Sequence, residues 1–404
     1  MARKATKPSA PRAAETKRKV DGLSKIGEMF DLWRPAADVL LPVRGVRTRF
    51  LGIDSVTKIG AWPIERVCTV TGPSNEGKTA FCLGLGASFL DGDGFFGLID
   101  AELTTPITWI RSMMPEHADS PRFLATRPAS YEAAVKATRQ FCQVIERLRH
   151  DGKLADDASA LLVVDSIRKL TPQNLLDNLL KQGTHDDDAG AKRKPSRWDK
   201  KPKGIDGAGG RAAQIKAALN AQWLDELIPL AAKSGTSIVL IARELGDDDA
   251  SFFSQPTMAG GRALFYDASL VVRVVKASKL MHDGKYLGDR HCAEVRKTKI
   301  GSKDEIYPKA YFHTLVNPAR FDPARDAIEL GVDAGVIDER GGRYYLGERM
   351  LGHGIEQVVA ALNGDVVLLH EVQESIRGAF ILEGDAMVAA TTPSEPRKAR
   401  KAAR

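Results

Sequence analysis

A chain of 404 residues has room for one large α/β domain and one or two small ones. Its 43% apolar and 27% charged residues give an ordinary globular composition, and no apolar run nears the roughly 18 residues that would cross a membrane. The four cysteines (Cys68, Cys82, Cys142, Cys292) lie far apart, which excludes a disulfide framework or a CxxC zinc site and fits buried thiols in a reducing cytoplasm.

The net charge of +7 is concentrated at the ends. Residues 1–20 hold seven Lys/Arg and one Glu, residues 391–404 hold five and one, and the body between them is close to neutral. Segments 1–20 and 386–404 cannot bury a core and are expected to be disordered. The first has no apolar stretch and so is no secretory signal. Two uses of these tails stay open: non-specific attachment to a polyanion such as nucleic acid, or solubility alone. Over 21–45, scattered helical periodicity (Ile26, Met29, Phe30, Trp33) predicts a short helical element whose apolar face needs a partner.

The β-branched run from Val67 to Thr71 leads into Gly72-Pro73-Ser74-Asn75-Glu76-Gly77-Lys78-Thr79 and then an apolar, helix-compatible segment. This is the strand, Gly-rich loop and helix order of a phosphate-binding loop. The glycines let backbone N–H groups face the phosphates, Lys78 adds a point charge, and Thr79 offers a hydroxyl to Mg²⁺. Phe95 to Ile99 reads as a buried strand ending in Asp100-Ala101-Glu102. A carboxylate just past such an edge faces the nucleotide crevice, so Glu102 is a candidate general base; a solvated turn residue is the competing reading. A strand at 122–125 and an amphipathic helix at 130–148 follow. Ser159 to Val164 is then an apolar run capped by Asp165, a pattern that holds Mg²⁺ at the end of a buried parallel strand.

Residues 181–211 interrupt the globular texture with a basic, Gly-rich loop. Lys192, Arg193, Lys194 and Arg197 surround Trp198, and Arg211 closes the segment. Phosphate tracking with base stacking is one reading, and a plain surface insertion is the other. A helix over 212–233 and the buried strand Thr236 to Ala242 lead to Arg243. A second loop, 244–261, carries Phe252 and Phe253 in a polar setting where folding gives no reason for paired aromatics. It ends in Gly260-Gly261 before Arg262, and its run Asp247 to Asp249 opposes contact with phosphate. Strands recur at 269–275, 291–296 and 306–313. Lys297 and Lys299 straddle one residue, which places them on one face of a strand. From about 322, helices at 326–330 and 355–362 around a Gly-rich middle predict a small α+β domain, 323–385.

Taken together, FLGIDSVTKIGAWPIERV, GPSNEGKT, LIDAE, LLVVDSI, TMAGGRALFYDAS, VRKTKI and GVDAGVIDERGGRYYLGERMLGHG, in this order, resemble the RecA family of recombinases over roughly residues 46–385. The resemblance implies an α/β fold: a P-loop NTPase RecA-type core (46–322) with a mostly parallel central sheet. A short N-terminal helical element serving oligomerisation and a small α+β C-terminal domain accompany it. It further implies a DNA-dependent ATPase that forms a helical filament on single-stranded DNA, with ATP and Mg²⁺ between subunits. Such a filament exchanges strands with homologous duplex DNA, in the cytoplasm with the nucleoid, or in the host cytoplasm if phage-encoded, with no membrane partner.

By the same resemblance, Gly72 to Thr79 with Phe81 and Trp109 hold the nucleotide, Thr79 and Asp165 hold the metal, and Glu102 is the catalytic glutamate. Lys78, Arg243, Lys297 and Lys299 supply charge to the reaction, the last two across the interface to a neighbour's γ-phosphate. The two loops become DNA-binding loops, with Lys192, Arg193, Lys194, Arg197, Trp198, Arg211, Phe252, Phe253, Gly260, Gly261 and Arg262 as the DNA contacts. Four departures stand out. Arg243 replaces a glutamine that contacts the γ-phosphate and relays its presence to the second loop. Asp225 replaces an expected basic residue, the first loop is longer and more basic, and the chain ends in PRKARKAAR where the family has an acidic tail. Two other readings share this core. A ring-forming replicative helicase usually carries a larger N-terminal collar, and a hydrolysis-poor DNA-coating or regulatory paralogue is kept open by Arg243.

Overall fold

The computed structural model describes residues 42–155, 158–177, 207–244, 258–301 and 307–380. The features predicted for 1–20 and 386–404, most of 21–45, and Lys192, Arg193, Lys194, Arg197, Trp198, Phe252 and Phe253 lie outside them. The chain divides after Val43, and the described residues from Arg44 onward form one compact unit.

A nine-stranded sheet organises that unit, in the order β11-β10-β9-β8-β3-β7-β6-β4-β5. Its strands are β3 (Val67–Thr71), β4 (Phe95–Asp100), β5 (Phe123–Thr126), β6 (Ala160–Asp165), β7 (Thr236–Ile241), β8 (Leu270–His282), β9 (Lys285–Thr298), β10 (Lys309–Val316) and β11 (Ala319–Phe321). A separate pair, β1 (Gly45–Val46) and β2 (Trp62–Pro63), lies antiparallel. From β5 through β8 every neighbour is parallel, and β8 to β11 extend the sheet with antiparallel pairs. The mostly parallel sheet is therefore as expected. The antiparallel extension corrects the reading of 269–275 and 291–296 as short separate strands. They are the inner ends of one long hairpin closed by Asp283-Gly284, whose φ values of 48° and 72° suit a two-residue turn. The hairpin's outer part is exposed, so its residues carry no apolar alternation to read.

Helices cover both faces: α1 (Leu51–Val56), α2 (Lys78–Asp91), α3 (Ile107–Met113), α4 (Tyr131–His150), α5 (Gly207–Ser234) and α6 (Ala263–Tyr266). α4 follows its caps: Ser130 accepts a hydrogen bond from the Ala133 N–H, Glu132 sits in the first turn, and Arg147, Arg149 and His150 sit in the last. α5 starts at Gly207, so 207–211, expected within the first loop, is helical; the side chain of Arg211 lies outside the description.

Past Asp322, α7 (Pro323–Asp333), the meander β12 (Ile337–Arg340), β13 (Arg343–Leu346) and β14 (Arg349–His353), α8 (Ile355–Gly364) and α9 (Val366–Phe380) surround an apolar cluster including Ile328, Ile337, Val358, Leu362, Val372 and Ile376. Asp322 caps α7 by accepting from the Arg325 N–H, and Pro323 occupies its first turn. Leu51 of α1 joins this cluster, and Arg377 of α9 ion-pairs with buried Asp54 of α1. The C-terminal elements thus pack on the core through α1.

Candidate nucleotide site

β3 delivers the Gly-rich loop to the carboxyl edge of the sheet, and the loop runs directly into α2. Gly77 caps that helix with φ 98°, a left-handed conformation that favours glycine. A Cβ there would also lie 2.6 Å from the His291 ring. Along the same edge, β4 and β6 run in register so that Asp100 and Asp165 stand side by side. A cleft of about 540 Å³ opens over these strand ends, with Ser74 to Ala80 on one wall. Glu102, Trp109, Asp165, Ser166 and Arg243 line it elsewhere.

The contacts within the cleft are specific. Thr79 Oγ1 donates to Asp165 Oδ2 at 2.6 Å. Burial pushes the Asp165 carboxyl up to about 6, against the pull of the Thr79 hydrogen bond. Lys78 donates to the Pro73 carbonyl, and burial lowers its pKa while Asp165, Glu102 and Glu244 oppose that shift. The backbone N–H groups of Ala101 and Glu102 donate to the Asp165 carbonyl at 2.7 and 3.1 Å, and Ser166 Oγ donates to Glu102 Oε1 at 2.6 Å. β6 thereby holds the carboxylate borne by the turn after β4. A hydroxyl and a carboxylate 2.6 Å apart are hard oxygen donors of the kind Mg²⁺ shares with water and phosphate oxygens. With the helix N-terminus and Lys78 alongside, the residues present fit a Mg²⁺–nucleotide.

The predicted residues divide into three groups. Ser74, Asn75, Glu76, Gly77, Lys78, Thr79, Glu102, Trp109, Asp165 and Arg243 meet in the cleft. Gly72 and Pro73 shape the loop's entry without lining the cleft. Phe81 is a correction: it is fully buried, stacks on Phe50 at 5.1 Å and touches Phe312 and Trp62, so it belongs to the aromatic core beneath α2. A helix buried all round gives periodicity no polar face by which to separate cleft from core.

Lys297 lies near the end of β9 and Lys299 just past its last residue, Thr298, so the expected pairing on one strand face is not met, and neither lysine lines this cleft. Lys297 Nζ donates to the carbonyls of Phe265, Tyr266 and Ala268, and Lys299 Nζ to that of Asp267, at the carboxyl end of α6. Gly260 and Gly261 both take positive φ, and Asn220 Nδ2 donates to the Gly260 carbonyl at 2.8 Å. Arg262 follows, exposed, at the start of α6. Across the cleft edge, the Ala259 N–H donates to the Arg243 carbonyl at 2.8 Å and Glu244 bridges to Met258.

Some residues escaped the sequence reading. Arg127 donates to Asp100 Oδ2 at 3.1 Å and to the Thr105 carbonyl at 3.0 Å, pinning the turn that carries Glu102. Arg168 and Lys169 bring two exposed cations to the cleft, and Ser166 positions Glu102. The adjacency of Ser166, Arg168 and Lys169 to Asp165 was a usable signal; nothing in the local sequence marks Arg127.

A mostly parallel sheet with this loop at its edge, and a hydroxyl–carboxylate pair beside a held glutamate, is the arrangement of a P-loop nucleotide-binding fold. No family model matches the chain. Protein RecA of Sulfurimonas denitrificans is 25% identical over 349 residues, which is 86% of this chain and 87% of that protein. Protein RecA of Deinococcus radiodurans is 25% identical over 407 residues, 99% of each chain. A crystal structure of the RadB recombinase aligns with TM-score 0.40 and 20% identity over 67% of this chain and 96% of that one. The chain is thus similar to RecA proteins over most of its length, at about a quarter of its positions. No helix among the described residues is long and apolar enough to cross a membrane.

Proposed function

We propose that this protein is a DNA-dependent ATPase that polymerises as a helical filament on single-stranded DNA and exchanges strands with homologous duplex DNA. The observation that carries this reading is the convergence of Lys78, Thr79 and Asp165 with a positioned Glu102 at one sheet edge. The loop N–H groups and Lys78 grip the phosphates of ATP. Thr79 and Asp165 hold Mg²⁺, which offsets phosphate charge when bound. Glu102, held by Ser166, accepts the proton of an attacking water.

Arg243 lines the cleft, and its carbonyl anchors the end of the second loop. Through that residue, nucleotide occupancy reaches the loop and the DNA. Lys297 and Lys299, grouped away from their own subunit's cleft, serve the nucleotide of a neighbour. The basic first loop, Phe252, Phe253 and Gly260 to Arg262 contact the strand. Residues 46–322 act as the ATPase core, 323–385 as a small domain, 21–45 in oligomerisation, and the basic tails 1–20 and 386–404 as polyanion contacts, in the cytoplasm with the nucleoid.

Phosphate release with and without single-stranded DNA tests this. Stimulation by DNA, together with helical filaments in electron micrographs, is expected. Turnover indifferent to DNA overturns the reading, and closed six-fold rings point to the helicase alternative.

A further inference from the structure

The crest of the phosphate-binding loop is clasped from behind by the antiparallel hairpin β8–β9. Lys276 of β8 and His291 of β9 are cross-strand partners, and Glu76 sits against that pair. The backbone N–H of Lys276 donates to the Glu76 carboxylate. His291 Nδ1 lies 3.0 Å from the Glu76 carbonyl oxygen, and its Nε2 lies 2.9 Å from Thr314 Oγ1 on β10. The ring itself stacks on Phe312 at 4.7 Å and is 2% exposed.

A carbonyl only accepts, so the Glu76 contact requires the proton on Nδ1. Burial lowers the His291 pKa, which keeps the ring neutral and leaves Nε2 to accept from the Thr314 hydroxyl. The peptide unit is planar and trans, so the Glu76 C=O and the Gly77 N–H point in opposite directions. Holding that carbonyl on His291 aims the Gly77 N–H away from the hairpin, toward the cleft that Gly77 lines.

We propose that His291 is a positioning residue for nucleotide binding: it orients the Glu76–Gly77 peptide so that the Gly77 N–H faces a bound phosphate. This rests on the nucleotide-site reading given above. Side-chain chemistry separates orientation from mere packing. Asparagine keeps an N–H donor near the place of Nδ1 in a smaller volume. Glutamine keeps one near Nε2, and leucine keeps most of the bulk with no donor.

The test measures the affinity of the full chain for a fluorescent ADP analogue with Mg²⁺ in His291→Asn, His291→Gln, His291→Leu and the control Lys78→Ala. His291→Asn is expected to bind within about threefold of the parent, and the other two His291 variants about tenfold more weakly. Affinity that follows side-chain volume instead, or is equal in all three, overturns the proposal. A Lys78→Ala protein that binds as well as the parent overturns the nucleotide-site reading itself. Should the variants not fold, ¹⁵N spectra of the parent decide. A neutral ring protonated at Nδ1 is expected, and protonation at Nε2 alone overturns the proposal.

Discussion

Ser166 Oγ donates to Glu102 Oε1 at 2.6 Å, joining the residue after β6 to the turn after β4 across 64 positions of sequence. If Glu102 is the general base proposed above, it should contribute to the chemical step more than to binding. Glu102→Gln should lower phosphate release by about 100-fold or more while leaving nucleotide affinity near the parent value. Ser166→Ala, which removes one hydrogen bond to that carboxylate, should cost about tenfold in turnover. Steady-state release and equilibrium binding, run on both variants, check the split.

Asp100 is 3% exposed, and Arg127 supplies its ion pair. Arg127→Ala leaves the carboxylate buried and releases the Thr105 carbonyl, freeing the turn that carries Glu102. The expected outcome is a stability loss of about 1–3 kcal/mol together with a drop in turnover, since the carboxylate loses its charged partner. Urea unfolding and phosphate release, measured together, distinguish this from a purely local change.

Arg377 of α9 donates to Asp54 of α1 and, at 2.8 Å, to the Thr48 carbonyl. Burial pushes the Asp54 carboxyl up to about 6 in spite of Arg377. Its folded value lies above the unfolded one, so the folded state holds the extra proton between about 4 and 6. The associated stability is present below that window and is lost as pH rises through it. Arg377→Ala should cost about 3–5 kcal/mol at neutral pH, because an unpaired charge is left buried. The cost should shrink near pH 5, where Asp54 takes up a proton. Unfolding midpoints at the two pH values measure this.

Burial, reinforced by the neighbouring Lys299 charge, lowers Lys297 to about 8. Its ammonium therefore loses its proton over a range in which an ordinary lysine stays charged. If that charge serves a neighbour's nucleotide, DNA-stimulated turnover should fall as pH rises through about 8. Lys297→Arg, charged throughout, should flatten that limb. A falling limb unchanged in the arginine variant would assign the effect to another group.

The parts of this protein that could be read from the sequence are those whose function depends on local order. Gly72 to Thr79 sits between a β-branched run and an apolar segment, and Asp165 and Glu102 each follow a buried strand, so strand, loop and carboxylate identify one another within a few residues. Parallel strands end at a common edge, which turns those three local signals into one site. Three-dimensional packing decided the rest. Phe81 went to the core because α2 is buried on every side and periodicity offers no phase. His291 reaches Glu76 across 215 positions and Arg377 reaches Asp54 across 323, contacts that depend on the register of β8 with β9 and on the seating of α9 against α1. Local sequence determines which backbone a segment adopts. Which distant polar groups that backbone must satisfy is settled only when the sheet closes and water is excluded.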